Sequence, residues 1–156
     1  MRMETLIRKQ LGMKSHYVAR IEETGEAVVV HVERMGHRQL NCMRCGLPCQ
    51  STHGRSKKQR TWRDLSLRKT ALKIRYRPFR VCCPRCKKVK VEEVPWAEPW
   101  SRVTMALAAA VAVMGRQLSW LEVAAYFGLD WKTVAQTGWS LTSHVSKSKR
   151  IPKRHR

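Results

Sequence analysis

The chain has 156 residues and a formal charge of +21, from 32 Lys and Arg against 11 Asp and Glu. That length makes one ordinary domain, or two small ones that each need extra help to fold, and the charge favours a polyanionic partner. The longest apolar run, 105–114, is about half of what a bilayer requires, and the first ten residues hold no apolar run of the signal-peptide kind. The six cysteines are therefore expected in cytoplasmic surroundings, reduced unless a metal holds them.

Residues 1–15 are basic and short of pattern, which predicts a frayed or weakly helical start. Residues 17–21 and 27–32 are rich in β-branched side chains, and 23–26 between them form a turn cluster with Gly25. That is a β-hairpin signal. Val28, Val30 and Val32 then share one face, with Val29, His31 and Glu33 on the other. His31 and His37 are read as ordinary polar strand and loop residues, because no second His or Cys stands near either at ligand spacing.

Cys42-Met43-Arg44-Cys45-Gly46 and Cys83-Pro84-Arg85-Cys86 are two Cys-x-x-Cys knuckles facing each other across an intervening segment. Two residues between thiolates let a tight turn point both sulfurs at one metal, and four thiolates make a closed tetrahedral zinc site. Cys42, Cys45, Cys83 and Cys86 are thus the expected ligands of a structural Zn²⁺. Gly46 stands where positive φ is cheapest, whereas Lys87 occupies the matching place in the second knuckle. Cys82, adjoining Cys83, points to the opposite side of an extended chain. Cys49, three residues beyond Cys45, is placed to substitute in another geometry, so spacing leaves the exact ligand set open. A thioredoxin-like role needs a long helix right after the motif, and a polar loop follows here.

The segment between the knuckles is strongly basic: residues 55–90 hold fifteen Lys and Arg and one acid, Asp64. Residues 60–63 and 65–67 read as short extended pieces around Asp64. Residues 71–77 alternate, with Leu72, Ile74 and Tyr76 inward and Lys73, Arg75 and Arg77 as a positive outer row. The interior is expected to be an antiparallel strand pair that returns the second knuckle to the first, a zinc ribbon. Residues 91–100, with Pro95, Trp96, Pro99 and Trp100, are expected to be an extended, rigid connector marking a domain boundary.

Helical periodicity follows. Ser101 is expected to cap a helix over 102–114 with Val103, Leu107, Ala110 and Met114 on one face. Ser119 and Glu122 form a capping-box pattern for a short helix that stops at Gly128, and Asp130 caps a third helix from 131 to about 143. Ala124, Gly128 and Val134 have the spacing of a helix-turn-helix: a small residue at the crossing, a turn glycine, and a buried residue on the second helix. On that helix Lys132, Thr133, Gln136, Thr137 and Ser140 offer donors and acceptors with no carboxylate, as a helix against bases and phosphates requires. At least one of Trp131 and Trp139 is expected to pack inward.

The stretch 80–86, the Pro-Trp segment 91–100 and the helix-turn-helix beyond resemble, in one order over about residues 15–145, the N-terminal half of a bacterial insertion-sequence transposase of the ISL-three family. The resemblance implies zinc at the four named cysteines and a DNA-reading third helix, the two together recognising terminal inverted repeats. It also implies a catalytic domain with two Asp and one Glu holding metal ions, for which this chain offers only Asp64 and Asp130 as aspartates, neither in a suitable pattern. Cys82 and Lys87 depart from the family pattern.

The expectations are an α+β chain in which a small β zinc ribbon precedes a three-helix helix-turn-helix domain. Its parts are a hairpin and ribbon over 15–95, helices over 101–145 and a basic tail or linker over 146–156. It is expected to bind DNA sequence-specifically as a truncated transposase, without enzymatic activity of its own. The expected partners are double-stranded DNA and a second copy of the chain, with no membrane. The alternatives are a stand-alone zinc-ribbon helix-turn-helix regulator and a basic RNA-associated zinc protein, though the narrow major groove of A-form RNA excludes a helix.

Overall fold

A computed structural model describes residues 2–36 and 39–138 and divides between Met105 and Ala106 into two compact units. His37, Trp139, Ser140, the end of the third predicted helix and the basic tail lie outside the described residues. The first unit opens with helix α1 (Met3–Gln10). Glu4 in its first turn and Arg8 and Lys9 in its last match the helix dipole. Of the two expected states for residues 1–15, frayed or weakly helical, the helical one is seen, and Ile7, Leu11 and Met13 pack it into the core.

Strands β1 (His16–Thr24) and β2 (Ala27–Arg34) form the expected hairpin, with Thr24 paired to Ala27 across a two-residue turn. The remaining strands are β3 (Leu40–Asn41), β4 (Pro48–Cys49), β5 (Thr52–Arg55), β6 (Arg60–Leu67), β7 (Thr70–Tyr76), β8 (Phe79–Cys83) and β9 (Lys88–Val91). They sort into three sheets: β1-β2-β7-β6, β3-β4 and β5-β8-β9.

This sorting corrects the ribbon reading. The pair β6–β7 exists and is antiparallel, but β7 also lies parallel to β2, so the pair completes a four-stranded sheet with the N-terminal hairpin. The two knuckles sit instead on the smaller sheets, one between β3 and β4 and one between β8 and β9. Alternation explains the choice. Val28 pairs with Leu72 and Val30 with Ile74, so the apolar faces of two distant segments align and share one core. Val30, Val32, Trp62, Leu72, Ile74 and Tyr76 are buried there. Residues 60–67 are one strand, with the register shifting between Asp64 and Leu67.

The Pro-Trp segment is not a free connector. Trp96 is 2% exposed and packs edge-on against His16, Trp62 and Tyr76, with ring centroids 5.1, 5.5 and 5.7 Å away. A tryptophan carries about 150–250 Å² into a core, and edge-to-face contacts add to that. The chain stays attached beyond it. Arg63 N–H donates to the Arg102 carbonyl (2.9 Å), Thr104 N–H to the Arg63 carbonyl (2.9 Å), and the Thr104 hydroxyl to Asp64 (2.5 Å). Helix α2 consequently spans Met105–Met114 rather than 102–114. Ser101 does not cap it; its hydroxyl exchanges hydrogen bonds with the Val103 backbone, and Val103 bridges to Arg63.

The second unit contains most of α2, helix α3 (Trp120–Phe127) and α4, the helical residues 131–138. Leu107, Ala108 and Val111 are the buried residues of α2, not Ala110 and Met114. Ser119 and Glu122 form the full capping box, and Gly128 ends α3 with φ +63°. Asp130 accepts the Lys132 N–H at 2.7 Å, as an N-cap does. Ala124 and Val134 are buried, as the spacing requires.

Candidate metal centre and nucleic-acid interface

The knuckles are two copies of one backbone turn. Gly46 N–H donates to the Cys42 carbonyl at 2.8 Å, and Lys87 N–H to the Cys83 carbonyl at 2.9 Å. Both donors have positive φ, +70° at Gly46 and +51° at Lys87. Lys87 thus adopts the left-handed conformation that glycine takes in the first knuckle, at the cost a Cβ brings there. Backbone bonds lock one knuckle to the other: Met43 N–H to the Val91 carbonyl (3.0 Å) and Glu93 N–H to the Asn41 carbonyl (2.8 Å).

This brings the sulfurs of Cys42, Cys45, Cys83 and Cys86 within 4.8 Å of one another. Cys45 and Cys83 are 3.4 Å apart, and Cys42 and Cys86 4.0 Å. A tetrahedron of sulfurs about 2.3 Å from a zinc ion has edges of about 3.8 Å, so the four residues fit a single metal ion. The Cys86 N–H, 3.4 Å from the Cys83 sulfur, holds that thiol below its ordinary range, while burial pushes the Cys86 thiol up.

Cys49 and Cys82 lie outside this group of four. Cys49 is buried, its thiol points at the Leu47 carbonyl (3.5 Å), and burial pushes it up to about 11. It packs with Leu40, Cys42, Val81 and Cys83 as a small apolar residue would.

A buried polar cluster, unforeseen in the sequence, ties the metal-centre sheets to the four-stranded core. Glu92 bridges to Cys42 through its backbone. Its carboxylate, 1% exposed, accepts from Tyr76 Oη (2.5 Å), Arg34 Nη1 (2.5 Å) and Phe79 N–H (2.8 Å). Burial raises the Glu92 carboxyl above its ordinary range, and the three donors oppose that. Nothing in Val91-Glu92-Glu93-Val94 distinguishes the buried glutamate from its exposed neighbour. His16 packs edge-on to Tyr76, lies 3.9 Å from Glu92, and is driven down to about 4 by burial and by Arg34. His31 is also no ligand: its Nε2 is 2.8 Å from Glu22.

Lys73 and Arg75 lie on the β7 face opposite Leu72, Ile74 and Tyr76, both half-buried beside Val29 and His31 of β2, which are buried. Lys73 pairs with Arg63 of β6, and Arg75 with Thr61 of β6 and His31 of β2. Arg63 therefore extends a row that the alternation of 71–77 alone does not show. Glu22 is the acid beside it, held below its ordinary carboxylate range first by His31 and then by Arg20 and Arg75. Arg77 is exposed and donates to the Ser56 carbonyl at 2.6 Å.

On α4, Lys132 and Gln136 are exposed and Thr133 and Thr137 half-buried. The Thr137 hydroxyl donates to the Thr133 carbonyl at 2.7 Å, which engages it within its own helix. Trp131 is half exposed and has the Lys132 ammonium 6.0 Å from its ring, so it is not the inward-packing tryptophan expected. Among the described residues no helix is long and apolar enough to cross a membrane.

A four-cysteine, metal-ready cluster on small sheets, followed by capped helices joined through a left-handed glycine, defines a cysteine-knuckle and helix-turn-helix type of chain. Residues 92–136 match the family described as the helix-turn-helix domain of transposase family ISL3. The chain is also 26% identical over 126 residues to the transposase for insertion sequence element IS1001 of Bordetella parapertussis, an alignment covering 79% of this chain and 30% of that protein. The chain thus spans about a third of the length of the relative it matches. No solved structure matches it. The two matches bear out the resemblance to ISL3-family transposases: residues 92–136 are similar to a helix-turn-helix domain of that family, and the chain is similar to part of one transposase.

Proposed function

We propose that this chain recognises specific duplex DNA, the terminal inverted repeats of an insertion sequence, as the N-terminal part of a transposase. The observation that carries the reading is the turn at Gly128: φ +63° there, with Ala124 and Val134 buried on either side, inside the segment matching the transposase helix-turn-helix. In this reading α2, α3 and α4 form a three-helix unit, and α4 enters the major groove. Lys132 and Gln136 reach base edges, Thr133 and Thr137 support the backbone contact, and Lys73, Arg75 and Arg77 neutralise phosphates. A Zn²⁺ held by Cys42, Cys45, Cys83 and Cys86 is structural, with every position filled by protein.

The chain alone is proposed to bind rather than cut, acting in the cytoplasm, alone or as a homodimer. Two-metal strand transfer needs converging carboxylates. Among the described residues the one group of three or more His, Cys, Asp or Glu side chains close enough to hold a metal is the four cysteines, while Asp64 is bonded to Thr104 and Asp130 to a helix N-terminus. The test is a binding titration of the zinc-loaded chain against duplexes carrying the element's end sequence or a shuffled version. Substituting Lys132 or Gln136 should cost about 1–3 kcal/mol on the cognate duplex only, whereas Arg75→Ala should weaken both and lower the salt slope by about 0.9. Equal loss on both duplexes from the α4 variants would rule out α4 as the reading helix.

A further inference from the structure

Each knuckle carries an arginine at the same place. Arg44 is the second residue between Cys42 and Cys45, and Arg85 the second between Cys83 and Cys86. Because the two turns share one backbone hydrogen-bond pattern, both arginines stand exposed at the knuckle tips. Between them lies an open hollow of about 550 Å³ lined by Arg44, Cys45, Arg85 and Cys86, with no carboxylate in its wall. Neither guanidinium takes part in an ion pair among the described residues; those engage Arg20, Arg34 and Arg55 instead.

A simpler role for the two arginines is to offset the charge of the thiolates. A four-thiolate zinc centre carries about −2. Lys87 and Lys88, next in the chain after Cys86, line a separate hollow with Pro48, Gln50, Cys82 and Cys83, and from there offset that charge without entering the Arg44–Arg85 hollow. Guanidinium forks suit two oxygens of one phosphate group, in a fixed geometry that an ammonium does not offer. Two such forks line one acid-free hollow.

We infer that Arg44 and Arg85 together grip a phosphodiester of duplex DNA at the tip of the cysteine cluster. The contact belongs to the first unit and is separate from the β7 row and from α4. It rests on the DNA-binding reading above and adds to it a fixed anchoring point, set by the metal that holds the two knuckles together.

The experiment compares the zinc-loaded full chain with Arg44→Gln/Arg85→Gln and Arg44→Lys/Arg85→Lys, by fluorescence anisotropy on a labelled duplex over a salt series. Bound zinc is measured on each protein. The glutamine pair should retain zinc, bind roughly ten-fold more weakly on every duplex sequence, and lose about 0.9 from the salt slope, the value for one phosphate. The lysine pair should keep the slope and lose part of the affinity, because charge is preserved and the fork is not. Wild-type affinity and slope in the glutamine pair would overturn the clamp while leaving DNA binding intact. So would loss of zinc with an unchanged slope, which would make the arginines counter-charges to the thiolates. A wild-type chain that binds no duplex would remove both readings together.

Discussion

Replacing Trp96 tests whether the Pro-Trp stretch belongs to the core of the first unit. Its indole is 2% exposed and edge-on to three rings. Burying about 150–250 Å² at roughly 25 cal/mol/Å² amounts to about 4–6 kcal/mol as an upper bound. Aromatic-to-alanine changes in cores cost about 3–5 kcal/mol, and that is the expected loss for Trp96→Ala. Trp96→Phe should behave differently. The indole Nε1 is buried and has no hydrogen-bond partner among the described residues, so phenylalanine removes an orphan donor that costs about 1–3 kcal/mol while keeping an edge-to-face ring. The two effects oppose, and the net change should stay within about 1.5 kcal/mol. Trp100, 67% exposed with the Arg60 guanidinium 5.8 Å from its ring, is the control, and Trp100→Ala should cost about 1 kcal/mol or less. Urea unfolding of the metal-loaded chain reads all three, provided the m-value is unchanged. If Trp96→Ala cost no more than Trp100→Ala, the segment would be the free connector its prolines suggest.

Lys87→Gly should leave stability unchanged or raise it by up to about 1 kcal/mol, because Lys87 stands at φ +51° where a Cβ is unfavourable; loss of thermal stability would contradict the matched-turn description. Gly128→Val should destabilise the helical unit by about 1–2 kcal/mol through its backbone alone, since a Cβ there meets nothing within 4 Å, and Gly128→Asn should recover most of it. Helical circular dichroism on melting distinguishes them, and equal losses for Val and Asn would point to crowding instead. His16 takes up its proton near 6.5 when unfolded and only near about 4 when folded. The unfolded chain therefore binds more protons between those values, and stability falls as pH drops through that window, by about 3 kcal/mol in total. In His16→Phe this part of the pH dependence should vanish, and a wild-type-like difference between pH 7 and pH 4 would refute it.

Local patterns survived into the structure wherever the cause was local. Both knuckles, the 16–34 hairpin, the capping box at Ser119, the glycine stop at Gly128 and the Asp130 cap depend on neighbouring residues, and each is legible in a few letters. The alternation of 71–77 likewise assigned Leu72, Ile74 and Tyr76 to one face. The partner of β7 was not legible, because a run of alternating residues states which face is apolar and not which strand it meets. Pairing with β2, over forty residues away in the chain, depends on burying both valine and isoleucine faces in one core. Trp96 and Glu92 were hidden for a related reason. A tryptophan between prolines and one glutamate of a pair look alike, exposed or buried, until three rings or three donors converge on them.

By itself, then, the sequence determined the basic character of the chain, the four sulfurs at Cys-x-x-Cys spacing, the caps and turns, and the resemblance to ISL3-family transposases. Only the tertiary structure decided that these sulfurs gather within 4.8 Å without Cys49 or Cys82. It also decided that the strand pair between the knuckles joins the N-terminal hairpin, and that the first unit runs on through Trp96 to Thr104. Caps, turns and knuckles are set by bonds between near neighbours. Which distant surfaces meet is set by the burial of apolar area summed over the whole unit, which no short stretch of sequence contains.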